Sequence, residues 1–416
     1  MQFGYIAKYK ISLLKTGLLM KPLQMNNNTS SSSSGQNCCA PPQNQLKLSP
    51  NLEARLQAVN SVAEIISEKP SWVTGVINTP SGLVPVVTAV WSREDHWGQI
   101  RSRLGAYRME YTVKPGLYAI GTPDAVSDIF VSANYKLSYD ILRRNLSGIN
   151  GWILVLDTKG INVWCAAGKG TFGTEELINR VLASKLSGLV THRRIIVPQL
   201  GATGVKASEV KKKTGFTVYF GPVEASNIKG YVDARYHATP EMRKIRFNLA
   251  QRLVLVPIEL TQGFRYVPIT ALMILIIFGI QPSGILFYNA WFEGWPFIVL
   301  SVVTLLAGGL VTPALLPFIP FRSFALKGLF AGAAVIAPLV LLTPLGGSSM
   351  FYRASALTLF PLLSSYLALQ FTGATTFTTI SGVKKELKIW IPIYIAGLVI
   401  SVIMLVLYKL QSWGLV

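Results

Sequence analysis

The apolar run Trp152-Ile153-Leu154-Val155-Leu156 and, after a short loop, Asn162-Val163-Trp164-Cys165-Ala166-Ala167-Gly168-Lys169 decide the reading of this chain. The first run has the composition of a strand. The second centres on an isolated cysteine, one of three in the chain, followed by unusually small residues. A thiol flanked by Ala-Ala-Gly can approach something broad and flat that bulkier neighbours would repel. That combination points to a cysteine presented to a large planar cofactor.

The chain's 416 residues leave room for two or three domains. Half of it is apolar, 14% is charged and the mean hydropathy is +0.42, too apolar for an ordinary soluble protein. The apolarity is concentrated after Arg265, in stretches at 266–287, 296–318, 324–345, 355–371 and 390–407. Most approach or exceed the ~20 residues that cross a bilayer core as a helix, so five transmembrane helices are expected. The loop after the first span holds Glu293 and no Lys or Arg. The second holds Arg322 and Lys327, the third Arg353, the fourth Lys384, Lys385 and Lys388, and the tail Lys409. Basic residues favour the cytoplasmic side. The expectation is a multi-pass protein of the inner (cytoplasmic) membrane with its N-terminal domain in the cytoplasm. No ionic pair of the kind found in transporters is apparent in the spans.

The formal charge of +20 invites a nucleic-acid reading, but no basic stripe interleaved with aromatics is present. Arg243, Lys244, Arg246, Arg252 and Arg265 gather before the first span, where attraction to an anionic leaflet accounts for them. Cys38 and Cys39 are adjacent and lie in a polar tract, and no disulfide framework or iron–sulfur cysteine run exists. Electrons for any redox chemistry must come from another protein. Residues 1–50 read as a disordered basic and polar tail without the apolar core of a secretory signal; translation starting at Met20 or Met25 is an alternative. The remaining divisions are an α/β domain at 51–245, a basic juxtamembrane linker at 246–265 and the membrane part at 266–416.

Within the α/β part, strands are expected at 117–120, 128–131, 152–156, 195–197 and 217–220, and helices at 138–146, 174–187 and 208–213. This alternation predicts a Rossmann-like domain with a mainly parallel sheet. The helix from Thr174 is the best defined: Thr174 can cap it, Glu175 and Glu176 suit its positive end, and Gly188 ends it. Ligands in such sheets bind beyond the carboxyl ends of the strands. The loops there are 157–169, 198–204 and 221–225, all rich in Gly, Ala, Pro and Thr.

Other chemistries fit less well. Ala167-Gly168-Lys169-Gly170-Thr171 lacks the first glycine of a P-loop, and Gly170 displaces the hydroxyl residue after the lysine. His96, His192 and His237 stand in no pattern that supplies Cys165 with a base, and four spaced zinc ligands are absent. Two readings of Cys165 stay open on the residues alone: a small buried hydrophobe, or a thiolate ligand favoured by Lys169 or by backbone N–H groups at a helix start.

Asn162–Lys169 resembles the signature of the mercury-methylating corrinoid protein family (HgcA). Leu156-Asp157-Thr158-Lys159-Gly160-Ile161, Gly170-Thr171-Phe172-Gly173-Thr174, Asn134-Tyr135-Lys136, Pro198-Gln199-Leu200 and Tyr219-Phe220-Gly221-Pro222 extend the likeness, which runs from about Leu83 to the C-terminus. The α/β part is also similar to the corrinoid domain of the corrinoid iron–sulfur protein. The resemblance implies a Rossmann-like corrinoid-binding domain followed by an all-α domain of five transmembrane helices. It implies a cobalamin-type corrinoid, base-off, with Cys165 on a short cap helix as lower axial ligand to cobalt and Asn162 orienting it. Thr158, Val163, Trp164, Ala166, Ala167, Gly168, Lys169, Gln199, Gly201, Gly221 and Pro222 would complete the cofactor site, the small residues letting the ring lie close. The Asp-x-His-x2-Gly pattern of histidine ligation is missing, since Asp95-His96 has the wrong spacing. The implied activity is a corrinoid-dependent methyltransferase. A 4Fe–4S ferredoxin-like reductase partner (HgcB type) produces Co(I), a methyltetrahydrofolate-dependent donor methylates it, and the methyl group passes to Hg(II). A corrinoid methyl carrier of the acetyl-CoA or one-carbon pathway is the alternative. Gly328 and Gly332 form a small-xxx-small pair suited to helix packing. Thr372-Gly373-Ala374-Thr375-Thr376 either ends a helix or takes part in receiving mercury.

Overall fold

The structure, a computed structural model, describes residues 62–65, 67–371 and 380–415. The N-terminal tail with Cys38 and Cys39, and the 372–376 segment, lie outside the described residues. Seven strands form one mixed sheet in the order β1-β2-β3-β5-β4-β6-β7. They are β1 (Val73–Thr79), β2 (Gly82–Val87), β3 (Gly116–Ile120), β4 (Asp128–Ala133), β5 (Gly151–Leu156), β6 (Arg194–Val197) and β7 (Thr217–Phe220). The β2–β3, β4–β5, β4–β6 and β6–β7 pairs are parallel; β1–β2 and β3–β5 are antiparallel. The helices of this part are α1 (Arg93–Leu104), α2 (Lys136–Asn145), α3 (Val163–Lys169), α4 (Thr174–Ala183), α5 (Ala207–Thr214) and α6 (Ile228–Asp233).

Burial on both faces explains the unbroken apolar run of β5. Leu154 joins one core with Leu177, Val181 and Val210 of α4 and α5. Ile153 and Val155 join the other with Tyr139 and Leu142 of α2 and Ile228 of α6. Helices on both faces are what a sheet rich in parallel pairs requires.

Two expectations for α4 fail. Gly173, not Thr174, occupies the N-cap position. The Thr174 hydroxyl donates to the Gly204 carbonyl (3.3 Å) and accepts from the Lys206 N–H (2.9 Å), tying α4 to the loop before α5. The helix ends at Ala183 because Lys185 turns left-handed (φ 47°), and Gly188 lies in a separate turn, Leu186–Leu189.

The C-terminal part comprises α7 (Leu249–Leu253), α8 (Val256–Phe264), α9 (Val267–Gly279), the hairpin β8 (Ile280–Gln281) and β9 (Gly284–Ile285), α10 (Phe287–Leu306), α11 (Phe324–Leu342), α12 (Met350–Phe371) and α13 (Ile380–Ser412). A π turn at Ala307–Val311 extends α10 to Ala314. Four helices, Phe287–Ala314, Phe324–Leu342, Met350–Phe371 and Gly382–Ser412, are long and apolar enough to cross a membrane. Leu249–Phe264 and Val267–Gly279, bent by 42°, make a fifth if taken as one span. The expected first span, 266–287, is therefore shifted. Its helix stops at Gly279, where Pro282-Ser283-Gly284 turns the hairpin, and α8 carries it back into what reads as a linker.

Gly328 and Gly332 pack against α12, where a Cβ would lie 2.8 Å from Ser365 Cα and 3.1 Å from Pro361 Cα respectively. An ion pair does join residues read from the sequence as a loop acid and a tail cation. Lys409 Nζ lies 2.9 Å from Glu293 Oε2 and donates to the Phe278 carbonyl (2.6 Å), joining the ends of α13, α10 and α9. At the opposite ends, Arg252 donates to the Ala314 carbonyl (2.7 Å) and the buried Lys327 to that of Ile319 (2.6 Å). These cations satisfy carbonyls that a helix end leaves without partners.

In the α/β part, four buried charges join α1 to α2. Lys136 Nζ contacts Asp95 Oδ1 (2.9 Å) and Asp140 Oδ1 (2.7 Å), and Arg143 contacts Asp95 Oδ2 (2.6 Å) and Asp140 Oδ1 (2.8 Å). Burial pushes the Asp95 carboxyl up, but the Arg143 hydrogen bond, the Ser92 N–H and the Lys136 charge together hold it down at about 2. Its folded pKa is thus below the ordinary value. The stability it contributes is complete above pH ~4 and is lost as pH falls through about 2. Lys136→Met leaves two carboxylates with one cation and should destabilise the α/β part by about 3–5 kcal/mol, read from thermal unfolding beside wild type.

Candidate functional site

β4, β6 and β7 run parallel, so their carboxyl ends share one edge. There the loops after β5, β6 and β7 meet the N-terminal half of α2 around a cavity of about 310 Å³. β4 supplies Phe130, Val131 and Ser132, and α2 supplies Ser138, Ile141 and Leu142. Opposite them stand Asn162, Val163 and Trp164, with Pro198 and Leu200 on one flank. Gly221, Pro222, Val223 and Ile228 complete a lining that is mostly apolar. All three loops singled out in the sequence converge here. The wall from β4 and α2 was missed, because its residues are those of any buried strand and amphipathic helix.

The Cys165 helix is built from local signals. Asn162 Oδ1 accepts from the Cys165 N–H (2.9 Å) and caps α3. Gly170, at φ 81°, ends it with the left-handed turn that glycine allows. Ala166 and Ala167 face inward, into the core with Phe172. Trp164, Cys165, Gly168 and Lys169 are exposed.

The loop that carries α3 hangs on Asn134. Its Oδ1 accepts from the Thr158 N–H (3.1 Å), the Thr158 hydroxyl (2.8 Å) and the Gly160 N–H (3.0 Å). Thr158 Oγ1 also lies 2.6 Å from the Ile161 carbonyl. Glu176 Oε1, paired with Arg180, accepts from the Asp157 N–H (2.8 Å).

Of the residues expected at a cofactor, Asn162, Val163, Trp164, Gly221 and Pro222 line the cavity. Cys165, Gly168 and Lys169 stand on the exposed side of α3. Ala166, Ala167, Thr158 and Gly201 serve packing instead. Thr158 is fully buried in the Asn134 network, and a Cβ on Gly201 would lie 2.5 Å from the Phe172 ring. Ala167 packs so closely that a Cβ on Gly204 would come within 3.1 Å of its Cα. Smallness in Ala166-Ala167 therefore seats the helix on the sheet. Gln199, between the lining residues Pro198 and Leu200, has a buried Oε1 without a hydrogen-bond partner. Among the described residues no group of three His, Cys, Asp or Glu could hold a metal ion.

A family model described as CO dehydrogenase/acetyl-CoA synthase delta subunit matches residues 106–232. The acetyl-CoA decarbonylase/synthase complex subunit gamma of Archaeoglobus fulgidus is 31% identical over 131 residues, covering 31% of this chain and 27% of that protein. Its namesake from Methanopyrus kandleri is 30% identical over 123 residues, 29% of this chain and 26% of the relative. Subunit gamma 2 of Methanosarcina thermophila is 29% identical over 133 residues, 31% and 28% of the two chains. The chain thus spans about a quarter of the length of these curated relatives. Every residue lining the cavity lies inside the matched segment.

Asn134→Ala should strand the Thr158 and Gly160 donors at a cost of about 1–3 kcal/mol each. The expected readout is faster amide hydrogen exchange across 157–169, with the exchange of β5 unchanged.

Proposed function

We propose that the α/β part binds a cobalamin-type corrinoid and acts in methyl transfer, with Cys165 as the lower axial ligand of cobalt. The observation that carries this is the placement of an exposed thiol on an Asn162-capped helix at the rim of an apolar cavity. That cavity lies at the carboxyl ends of parallel strands, where such folds bind ligands. Its volume of about 310 Å³ suits a detached aromatic base rather than a whole macrocycle. When bound, the corrinoid supplies a cobalt centre able to accept and release a methyl group.

The chain's own residues bind and orient. Asn162 holds the first turn of α3 and so sets the position of Cys165. Trp164, next to Cys165 and 38% exposed, forms part of the cavity lining. Phe130, Ile141 and Ile196 give the cavity an apolar lining. As a thiolate, Cys165 would donate to a cobalt centre more strongly than a neutral nitrogen base would.

The acceptor divides the reading in two. The comparisons favour the one-carbon alternative, a methyl carrier related to acetyl-CoA decarbonylase/synthase subunits. Transfer to Hg(II) is supported by the resemblance carried by Asn162–Lys169 and by the C-terminal helices, which lie outside the matched segment. In either case the proposed partners are a methyltetrahydrofolate-dependent donor and a 4Fe–4S ferredoxin-like reductant. The proposed location is the inner membrane, with the α/β part in the cytoplasm.

The test is the anaerobic ultraviolet–visible spectrum of the cobalamin-loaded protein beside Cys165→Ala. A thiolate-to-cobalt band present in wild type and lost in the variant is expected; identical spectra overturn the axial role of Cys165. Methylmercury formed by wild type but not by Cys165→Ala would assign mercury. Methyl transfer only to a one-carbon acceptor would assign the alternative.

A further inference from the structure

We propose that the outer face of α1 docks on the anionic lipid leaflet in which the C-terminal helices sit. This rests on reading those helices as membrane spans. Asp95, Gly98 and Ser102 form the buried side of α1. Opposite them, at helical spacing, Arg93, Trp97, Ile100, Arg101 and Leu104 form one exposed stripe. Trp97 is 60% exposed, Ile100 47% and Leu104 43%. A Trp, an Ile and a Leu beside arginines on an exposed face can rest among lipid headgroups, the ring at the interface and the cations on the phosphates.

Position in the fold points to the same occupant. α1 packs against α8, the first half of the bent pair that enters the bilayer. Arg108, just beyond α1, is close enough to Glu259 of α8 for their charges to interact. α7, directly before α8, exposes Leu249, Leu253 and Val254, and Arg243, Lys244 and Arg246 precede it on the surface. The stripe thus continues a basic and apolar surface that leads into a span. Of the acids on or next to α1, Asp95 is buried in its ion pairs and Glu94 is engaged by the Ser71 hydroxyl (2.9 Å). Glu110 is exposed. The balance on the stripe is cationic, complementary to anionic headgroups.

Docking of α1 would act on the site through the buried charges. Asp95 holds Lys136 and Arg143 of α2, and Ser138, Ile141 and Leu142 of the same helix line the cavity. A leaflet that fixes α1 therefore fixes the cavity wall, and with it the direction in which the rim bearing Cys165 faces relative to the membrane.

The experiment uses the full chain in vesicles of phosphatidylcholine and phosphatidylglycerol whose acyl chains carry bromine near the headgroup. Bromine quenches tryptophan emission on contact. The component of emission present in wild type and absent in Trp97→Phe isolates this residue. The expected result is loss of that component in brominated vesicles, and its return in an Arg93→Glu, Arg101→Glu variant. If it persists in wild type while Trp291 and Trp295 are quenched, the chain is inserted and the stripe faces solvent or a protein. That result overturns the inference alone. If no tryptophan is quenched, the reading of the helices as spans fails as well. Quenching that survives the double charge reversal overturns the role given to the arginines.

Discussion

One side-chain oxygen sets the geometry of the candidate site. Asn134 follows β4, its N–H donating to the Leu156 carbonyl (3.0 Å) and its carbonyl accepting from the Val113 N–H (2.8 Å). With its backbone held on both sides, its side chain has little freedom, and Oδ1 receives three donors from the loop after β5. That loop needs such an anchor, because Lys159 (φ 57°) and Gly160 (φ 70°) are consecutive left-handed residues. For lysine this conformation is unfavourable and persists only where the surroundings determine it. The turn delivers the chain to Asn162 at a single place, and Asn162 then starts α3. Burial of Ala166 and Ala167 fixes the roll of the helix and leaves Trp164 and Cys165 outside.

The strands of the central sheet were legible because burial on both faces demands unbroken apolar runs, and the loops at their carboxyl ends because turn residues cluster there. Residues 73–104 were not. β1 is largely exposed and lacks a clean apolar alternation, and α1 is hydrophilic, with its apolar residues pointing outward. The one local signal in that region is the capping box. Ser92 Oγ accepts from the Asp95 N–H (3.2 Å), and Asp95 Oδ2 accepts from the Ser92 N–H (2.9 Å). At the site, residue types pointed to the right loops but not to the direction each side chain takes. Small residues serve close packing of a helix on its own sheet as readily as close approach of a ligand, and only backbone geometry separates the two.

The helical part follows a different rule. Several of its polar side chains bond neighbouring helices, as when Ser364 donates to the Gly328 carbonyl (2.9 Å) and Ser365 to that of Ala325 (2.7 Å). Lys409 and Glu293 are distant in sequence and meet only when α9, α10 and α13 assemble, so no local pattern could have paired them. Their place at one end of the bundle gives them a fastening role rather than a pathway role. Lys327 and Arg252 do similar work at the other end, capping carbonyls of the segment that follows α10. Hydropathy counts Lys327 as a loop cation, whereas its stem is buried and only the folded bundle reveals its partners.

The limits of the family match separate two questions that the whole chain runs together. The cavity, the Asn134 anchor and the Cys165 helix all lie within residues 106–232, so whatever is shared with the decarbonylase/synthase subunits bears on the ligand held there. The arrangement that joins this segment to the bundle lies outside it: α1 before, and α7 onward after. A cofactor held by shared elements and an acceptor chosen by added ones would account for both halves of the molecule. The carrier reading needs only the first. Asp95 and α1 tie the cavity wall on α2 to α8, and so to helices long and apolar enough to cross a membrane. Under the proposed methyl transfer, that tie selects for acceptors that reach the cavity at a bilayer surface.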